Sequence, residues 1–254
     1  MSPPTTSKTT RSGHRGAPHS CLREVAISPP PFRWPAVLCI AAASILCGCF
    51  GGTSGTGTAV SAPLSAAANT HDALAVADAL EALIAQNKDS PEDRQFAYAE
   101  VRAHALDTAP HAYARAVVTG RVVQKKGLLG ADMVGEIERF ALRSRDLDPN
   151  FRDNAATRML GTLYVMAPAA LLQKGDSEKG LELLEGLVEK RPDVIENHLR
   201  VAEAYIALGD AEPAKPHLCI CVAGRDRLRN DEQVLLMQLL KDAGNPTCPR
   251  PPAP

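Results

Sequence analysis

The sequence predicts an all-α fold, an α-solenoid of about four helical hairpins plus a C-terminal capping helix. Three observations carry that expectation. Aromatic residues are only 4% of the 254-residue chain and alanine is abundant, which disfavours sheets built on aromatic and β-branched strands. Apolar residues recur at helical spacing over most of residues 70–243. Within that region, Asn154–Cys221 reads as two consecutive helix–turn–helix units in phase. One carries Leu160, Gly161, Tyr164, Gly175, Asp176, Gly180, Leu184, Leu187 and a closing Pro192. The other carries Val201, Ala202, Tyr205, Gly209, Asp210, Ala214, Leu218 and Cys221. The small residues let helices approach closely, the tyrosines fill the space between them, and Gly-Asp stops one helix and caps the next.

The front of the chain reads as an address. Residues 1–48 carry five basic residues against Glu24, a net +4, and with the whole chain at −1 the remainder is −5. A mildly acidic body argues against nucleic acid as a partner, because phosphate binding needs a basic patch. Ala36–Leu46 (AVLCIAAASIL) is apolar but shorter than the roughly 20 residues a membrane span needs. A basic region, a short apolar core and small residues after it make a secretory signal. Leu46-Cys47-Gly48-Cys49 resembles the bacterial lipobox. That resemblance implies cleavage after Gly48 and lipidation of Cys49, and Phe50 in the next position implies sorting to the outer rather than the inner membrane. An ordinary signal peptide or a short uncleaved anchor is the alternative. Pro, Ser and Thr dominate residues 1–32, which are expected to be disordered. Residues 49–69 are rich in Gly, Ser, Thr and Ala and read as a flexible tether reaching at most about 70 Å.

The helices are expected in this order. Asp72–Gln86 is capped by Thr70 or Asp72, and Glu92–Leu106 is ended by Pro110. His111–Lys126 follows, then a loop at Gly127–Gly130 and a helix over Asp132–Leu147. After the two units named above, Asp231–Ala243 is amphipathic, as a solenoid cap must be. Residues 244–254 form a proline-rich tail. Prolines 110, 149 and 192 punctuate the array at intervals longer than the 34 residues of a plain tetratricopeptide unit. The excess in one unit is Met166–Gln173, an apolar insertion around Pro168.

The fixed offsets of Asn154–Cys221 resemble the tetratricopeptide (TPR) repeat. Together with the lipobox and the tether, they resemble the TRAP-transporter T-component lipoproteins. The likeness is closest over Arg158–Leu218, with its Leu-Gly-x-x-Tyr helix, Ala-Pro insertion, Lys-Gly-Asp turn and Glu-Asn-x-x-x-x-Ala-Glu-Ala helix. Pro213 and Pro216 depart from the pattern, and both are expected to fit a first helical turn. The resemblance implies a non-enzymatic periplasmic lipoprotein. Its partner would be a solute-binding protein in TRAP-type uptake of a small apolar or organic-acid ligand, its membrane contact the N-terminal lipid, and its assembly a homo-oligomer with a hydrophobic cavity. A TPR scaffold lipoprotein for outer-membrane, pilus or secretion-system assembly is the alternative.

In such arrays the first helix of each pair lines the concave face. That places Arg158, Thr162, Val165 and Met166, then Leu199, Glu203 and Ile206, along a groove, with Leu171 of the insertion beside it. The apolar members suit a ligand cavity or an amphipathic helix, or else they bury the insertion or a neighbouring helix. His217, Cys219 and Cys221 raise a metal site, but residues two apart on a helix face different ways. In an oxidising compartment a disulfide to Cys248 is expected, from Cys219 on the more exposed side or from Cys221, with Cys219 favoured. Neither H-E-x-x-H nor a nucleophile elbow occurs, so no catalytic residue and no cofactor is assigned.

Overall fold

Helix follows helix through residues 59–103 and 106–249, the residues the computed structural model describes. Four hairpins come in succession: α2 (Ala73–Ala85) with α3 (Pro91–Ala103), α4 (Ala109–Lys126) with α5 (Val134–Leu147), α6 (Phe151–Met166) with α7 (Ser177–Lys190), and α8 (Ile195–Ala207) with α9 (Ala211–Ala223). A short helix, α1 (Ala62–Ala68), precedes them and α10 (Asn230–Asp242) closes them. Ser54–Pro254 clusters as one compact unit, and its apolar cores are built from residues within that span.

Local chemistry explains most of the boundaries. Asp72 caps α2 by accepting from the Leu74 N–H, Thr108 caps α4 by accepting from His111, and Asp176 caps α7 by accepting from Lys179. Gly209, at φ +85°, ends α8 in a left-handed conformation open to glycine.

The close approaches predicted for the third hairpin are present. A Cβ on Gly161 would lie 2.6 Å from Leu184 Cγ, and one on Gly180 would lie 2.8 Å from the Gly161 carbonyl oxygen. Tyr164 is 1% exposed and its ring lies over Gly175, where a Cβ would meet it at 2.3 Å. Ala202 and Ala214 are fully buried in the fourth hairpin.

Several expectations need correction. The tether does not extend to residue 69, because Ala62–Ala68 is helical and Leu64 is fully buried against α2 and α3. Ser61 fastens this segment, donating its N–H and hydroxyl to the Asp93 carboxylate at 2.8 Å each. Small polar composition hid one anchoring leucine. Pro110 does not end α3, which stops at Ala103; it lies in the first turn of α4, where a missing N–H costs nothing. Pro213 fits the first turn of α9, but Pro216 lies inside that helix, tolerated on an exposed position. The Gly127–Gly130 loop is the start of a 3-10 turn, Gly127–Met133. Within α6, Arg152, Asp153 and Asn154 have left-handed φ values of 48°, 55° and 62°, so regular helix begins at Ala155. Asn154 Nδ2 donates to the Pro149 carbonyl at 2.7 Å and supports this turn.

The first helices of the hairpins form an inner row: α2 packs on α4, α4 on α6, and α6 on α8. The capping helix α10 packs on α8 and also reaches α2. The capping helix therefore bridges the first and last members of the row.

Candidate functional site: the inner helical row

Charged side chains join several inner helices alongside their apolar contacts. Arg121 of α4 forks onto Glu81 of α2, with Nε and Nη2 donating to the two carboxylate oxygens at 2.5 and 2.6 Å. Arg229, just before α10, donates to the same Glu81 carboxylate at 2.6 Å. Asp231 pairs with Arg229 at 3.1 Å and Arg121 at 3.4 Å, and Arg200 of α8 lies 2.8 Å from Glu203 and 3.6 Å from Glu232 of α10. Burial by itself raises the Glu81 carboxyl, but hydrogen bonds and charge from Arg121 and then Arg229 outweigh it and hold the group below its usual range. The chain of pairs bridges α2, α4, α8 and α10. It ties residues 148 apart in sequence.

Arg158 of α6 sits differently. Its Nη1 donates to Asn197 Oδ1 at 2.8 Å and to the Asp153 carbonyl at 3.2 Å, and among the described residues no carboxylate pairs with it. Burial lowers its pKa, against weaker opposing effects of Tyr113 and Glu196. Asn197, fully buried, is itself held by donating to the Leu187 and Arg191 carbonyls. The half-buried guanidinium is therefore fixed in place by neutral oxygens, with Nε and Nη2 left to donate. A carboxylate or another small anion would complete it.

The other groove candidates do not make a continuous apolar surface. Thr162 turns its hydroxyl back to the Arg158 carbonyl. Val165 packs on Leu184, Val201 and Ala204. Leu199 is fully buried with Leu218, Leu236 and Leu239 beneath α10, so its placement in an open groove is corrected: the cap covers it. Ile206 packs on the same core. Glu203 is engaged by Arg200, and Met166 is half exposed.

The insertion turns toward α5, an outer helix. Leu172 packs on the core of Ala141, Leu160 and Tyr164, and the N–H groups of Gln173 and Lys174 donate to the buried Glu138 carboxylate at 2.8 and 2.7 Å. Leu171 follows that course in a short 3-10 turn, Ala169–Leu171. Tyr164 is pushed up to about 12, by burial and then by Glu138, although its hydroxyl makes no hydrogen bond. Two open clefts, of about 430 and 400 Å³, lie at α5 with the insertion and at α1 with α2. Neither is lined by a groove candidate.

Cys219 and Cys248 are joined in a disulfide, with Cα atoms 5.1 Å apart and a separation of 29 residues. Cys221 is free and buried; burial pushes its thiol up to about 12, which keeps it unreactive. The bond fastens the tail after α10 to α9. Replacing Cys248 with Ser is expected to cost about 3 kcal/mol, the entropy of a loop this long, measured by urea unfolding. Titration of the denatured Ser54–Pro254 unit should count one thiol before reduction and three after.

His217 does not join those cysteines. Its Nδ1 lies 2.9 Å from Nδ1 of His198, whose Nε2 lies 2.9 Å from the Pro192 carbonyl. A carbonyl only accepts, so His198 carries its proton on Nε2 and, with both rings neutral, accepts from His217. Burial, then His198, lowers the His217 pKa. Among the described residues no group of three or more His, Cys, Asp or Glu could hold a metal. Cys49 lies outside the described residues.

Glu81, Arg121, Arg200, Arg229 and Glu232 went unnoticed in the sequence, although each falls on or beside an inner helix or the cap. No protein-family model matches the sequence, and a search of curated proteins finds no similar chain.

Proposed function

We propose that this chain is a non-enzymatic extracytoplasmic lipoprotein of TPR type, lipidated at Cys49 and lying on the periplasmic side of a bacterial outer membrane. It works by protein contact, as an accessory to a solute-binding protein in TRAP-type uptake. The single observation that carries the ligand class is Arg158. A guanidinium held by Asn197 and a backbone carbonyl, with no carboxylate paired to it, suits an organic acid. Burial of Leu199 in one core and packing of the half-buried Val165 against another remove much of the surface that a purely apolar ligand needs. Support for the repeat type is the packing of Gly161, Tyr164, Gly175 and Gly180, which is what those residues do in a TPR hairpin.

The test is chemical crosslinking in native membranes, isolation through an affinity tag on the C-terminus, and mass spectrometry. Recovery of a solute-binding protein with TRAP membrane subunits is the expected result. Recovery of pilus, secretion or outer-membrane assembly proteins instead overturns the uptake reading in favour of a scaffold.

A further inference from the structure

The turn between α4 and α5 exposes apolar side chains that the fold does not use. Leu128 and Leu129 are 92% and 86% exposed, the two most exposed large apolar residues among those described. They sit in the 3-10 turn Gly127–Met133, whose second half is held close to the body, where Gly130 and Met133 are buried. Lys125 and Lys126, both exposed, immediately precede it. An exposed dileucine carried beside two lysines is costly in water and well matched to one surface, an anionic bilayer, where leucines enter the acyl boundary and lysines meet phosphate headgroups.

The tip's place in the fold supports the same surface. The described chain begins beside the N-terminus of α3, where Ser61 bonds Asp93. The next residue of that helix, Arg94, donates to the Arg121 carbonyl at 2.5 Å and to Gln124 at 3.4 Å, near the C-terminal end of α4. One turn further on is the dileucine. The point where the chain enters the body and the apolar tip are therefore at the same end of the helical stack. The nearby charges at that end are Lys88, Lys125 and Lys126 against Glu92 and Asp132, with Asp89 paired to Arg94. Cys49 precedes Ser61 by twelve residues, a reach of at most about 40 Å, so a lipid on Cys49 brings this end to the membrane.

We propose that Lys125, Lys126, Leu128 and Leu129 form a membrane-docking tip that seats the helical body on an anionic bilayer. The tip gives the body one orientation, with the inner helical row at a fixed angle to the surface. The biological setting rests on lipidation of Cys49, but the physical claim does not.

The test uses the compact Ser54–Pro254 unit, which lacks Cys49, in sedimentation with phosphatidylcholine vesicles, with and without about one-third phosphatidylglycerol. Binding to the anionic vesicles, weakened by salt, is expected. Leu128→Ser with Leu129→Ser should reduce it at least about tenfold, and Lys125→Gln with Lys126→Gln about 25-fold, near fivefold per lysine. The leucines are exposed and Lys126 meets the buried Met133 only through its Nζ, 4.0 Å from the sulfur, so circular dichroism should be unaltered. No binding by the parent unit, or equal binding by the serine variant, overturns the proposal. So does a parent dimer in sedimentation velocity that the serine variant dissolves, because the occupant is then a second copy. Loss of lipid labelling in Cys49→Ser is a separate readout, and either result can fail without the other.

Discussion

Gly180→Val is expected to cost at least about 3 kcal/mol, because its Cβ has nowhere to go. The added atom would lie 2.8 Å from the Gly161 carbonyl oxygen, 2.8 Å from Tyr164 Cβ and 2.9 Å from Val165 Cγ2. The first is backbone and the second is bonded to it, so relief requires α6 and α7 to separate rather than a side chain to swing. Overpacking costs about 1–3 kcal/mol for a methylene or two, and valine adds further methyl groups to an already closed contact. Total stability is about 5–15 kcal/mol, so the loss is a large share, worth roughly 6–12 °C in Tm for a domain of this size. Gly186, on the same helix, meets nothing within 4 Å. Gly186→Ala should therefore be neutral or stabilise by up to about 1 kcal/mol, the helix-propensity difference. Thermal unfolding of the two variants side by side separates close packing from propensity. A Gly180→Val variant as stable as the parent would show that α6 and α7 do not cross at these glycines.

What made this crossing legible in the sequence, and the inner face illegible, is the range of the interactions. Gly161, Tyr164, Gly175 and Gly180 act within one hairpin, so their spacing fixes which atoms meet. The hairpin order and the capping helix followed from the same local periodicity. Leu199 was misplaced because the pattern assigns it to an inner helix but cannot say that α10 lies over it. The charged bridge was missed for a similar reason: Glu81 and Arg229 become neighbours only when the last helix reaches the first. α1 escaped notice because its burial rests on Leu64 and its fastening on Ser61, in a stretch whose composition otherwise suits a tether. Arg158 was visible as a candidate, but its neutral partners come from Asn197 in another hairpin and from the left-handed turn at Arg152–Asn154, which no propensity predicts.

Glu81→Gln tests whether that long-range bridge closes the array. The substitution keeps the shape and removes one of the two carboxylates that Arg121 and Arg229 share, leaving Asp231 alone between the two guanidinium groups. Breaking a buried pair from one side costs about 3–5 kcal/mol; Arg229 is 38% exposed at its side chain, so solvent screening reduces the expected loss to about 2–3 kcal/mol. The pH dependence follows from the depressed carboxyl of Glu81. A carboxyl held low in the folded state contributes its full stability above its unfolded value, about 4.3 for glutamate, and loses it as pH falls through the folded value. The gap between parent and Glu81→Gln should therefore be widest at neutral pH and shrink with acid, as the parent's own Glu81 takes up a proton. Urea unfolding at pH 7 and below pH 4 measures the gap. Hydrogen exchange locates it: amides of α10 and α2 should lose protection in the variant while α6 and α7 keep theirs. A gap that stays constant with pH, or a loss of protection centred on α6 and α7, would mean that the array is held closed by the apolar contacts of α10 on α8 and not by Glu81.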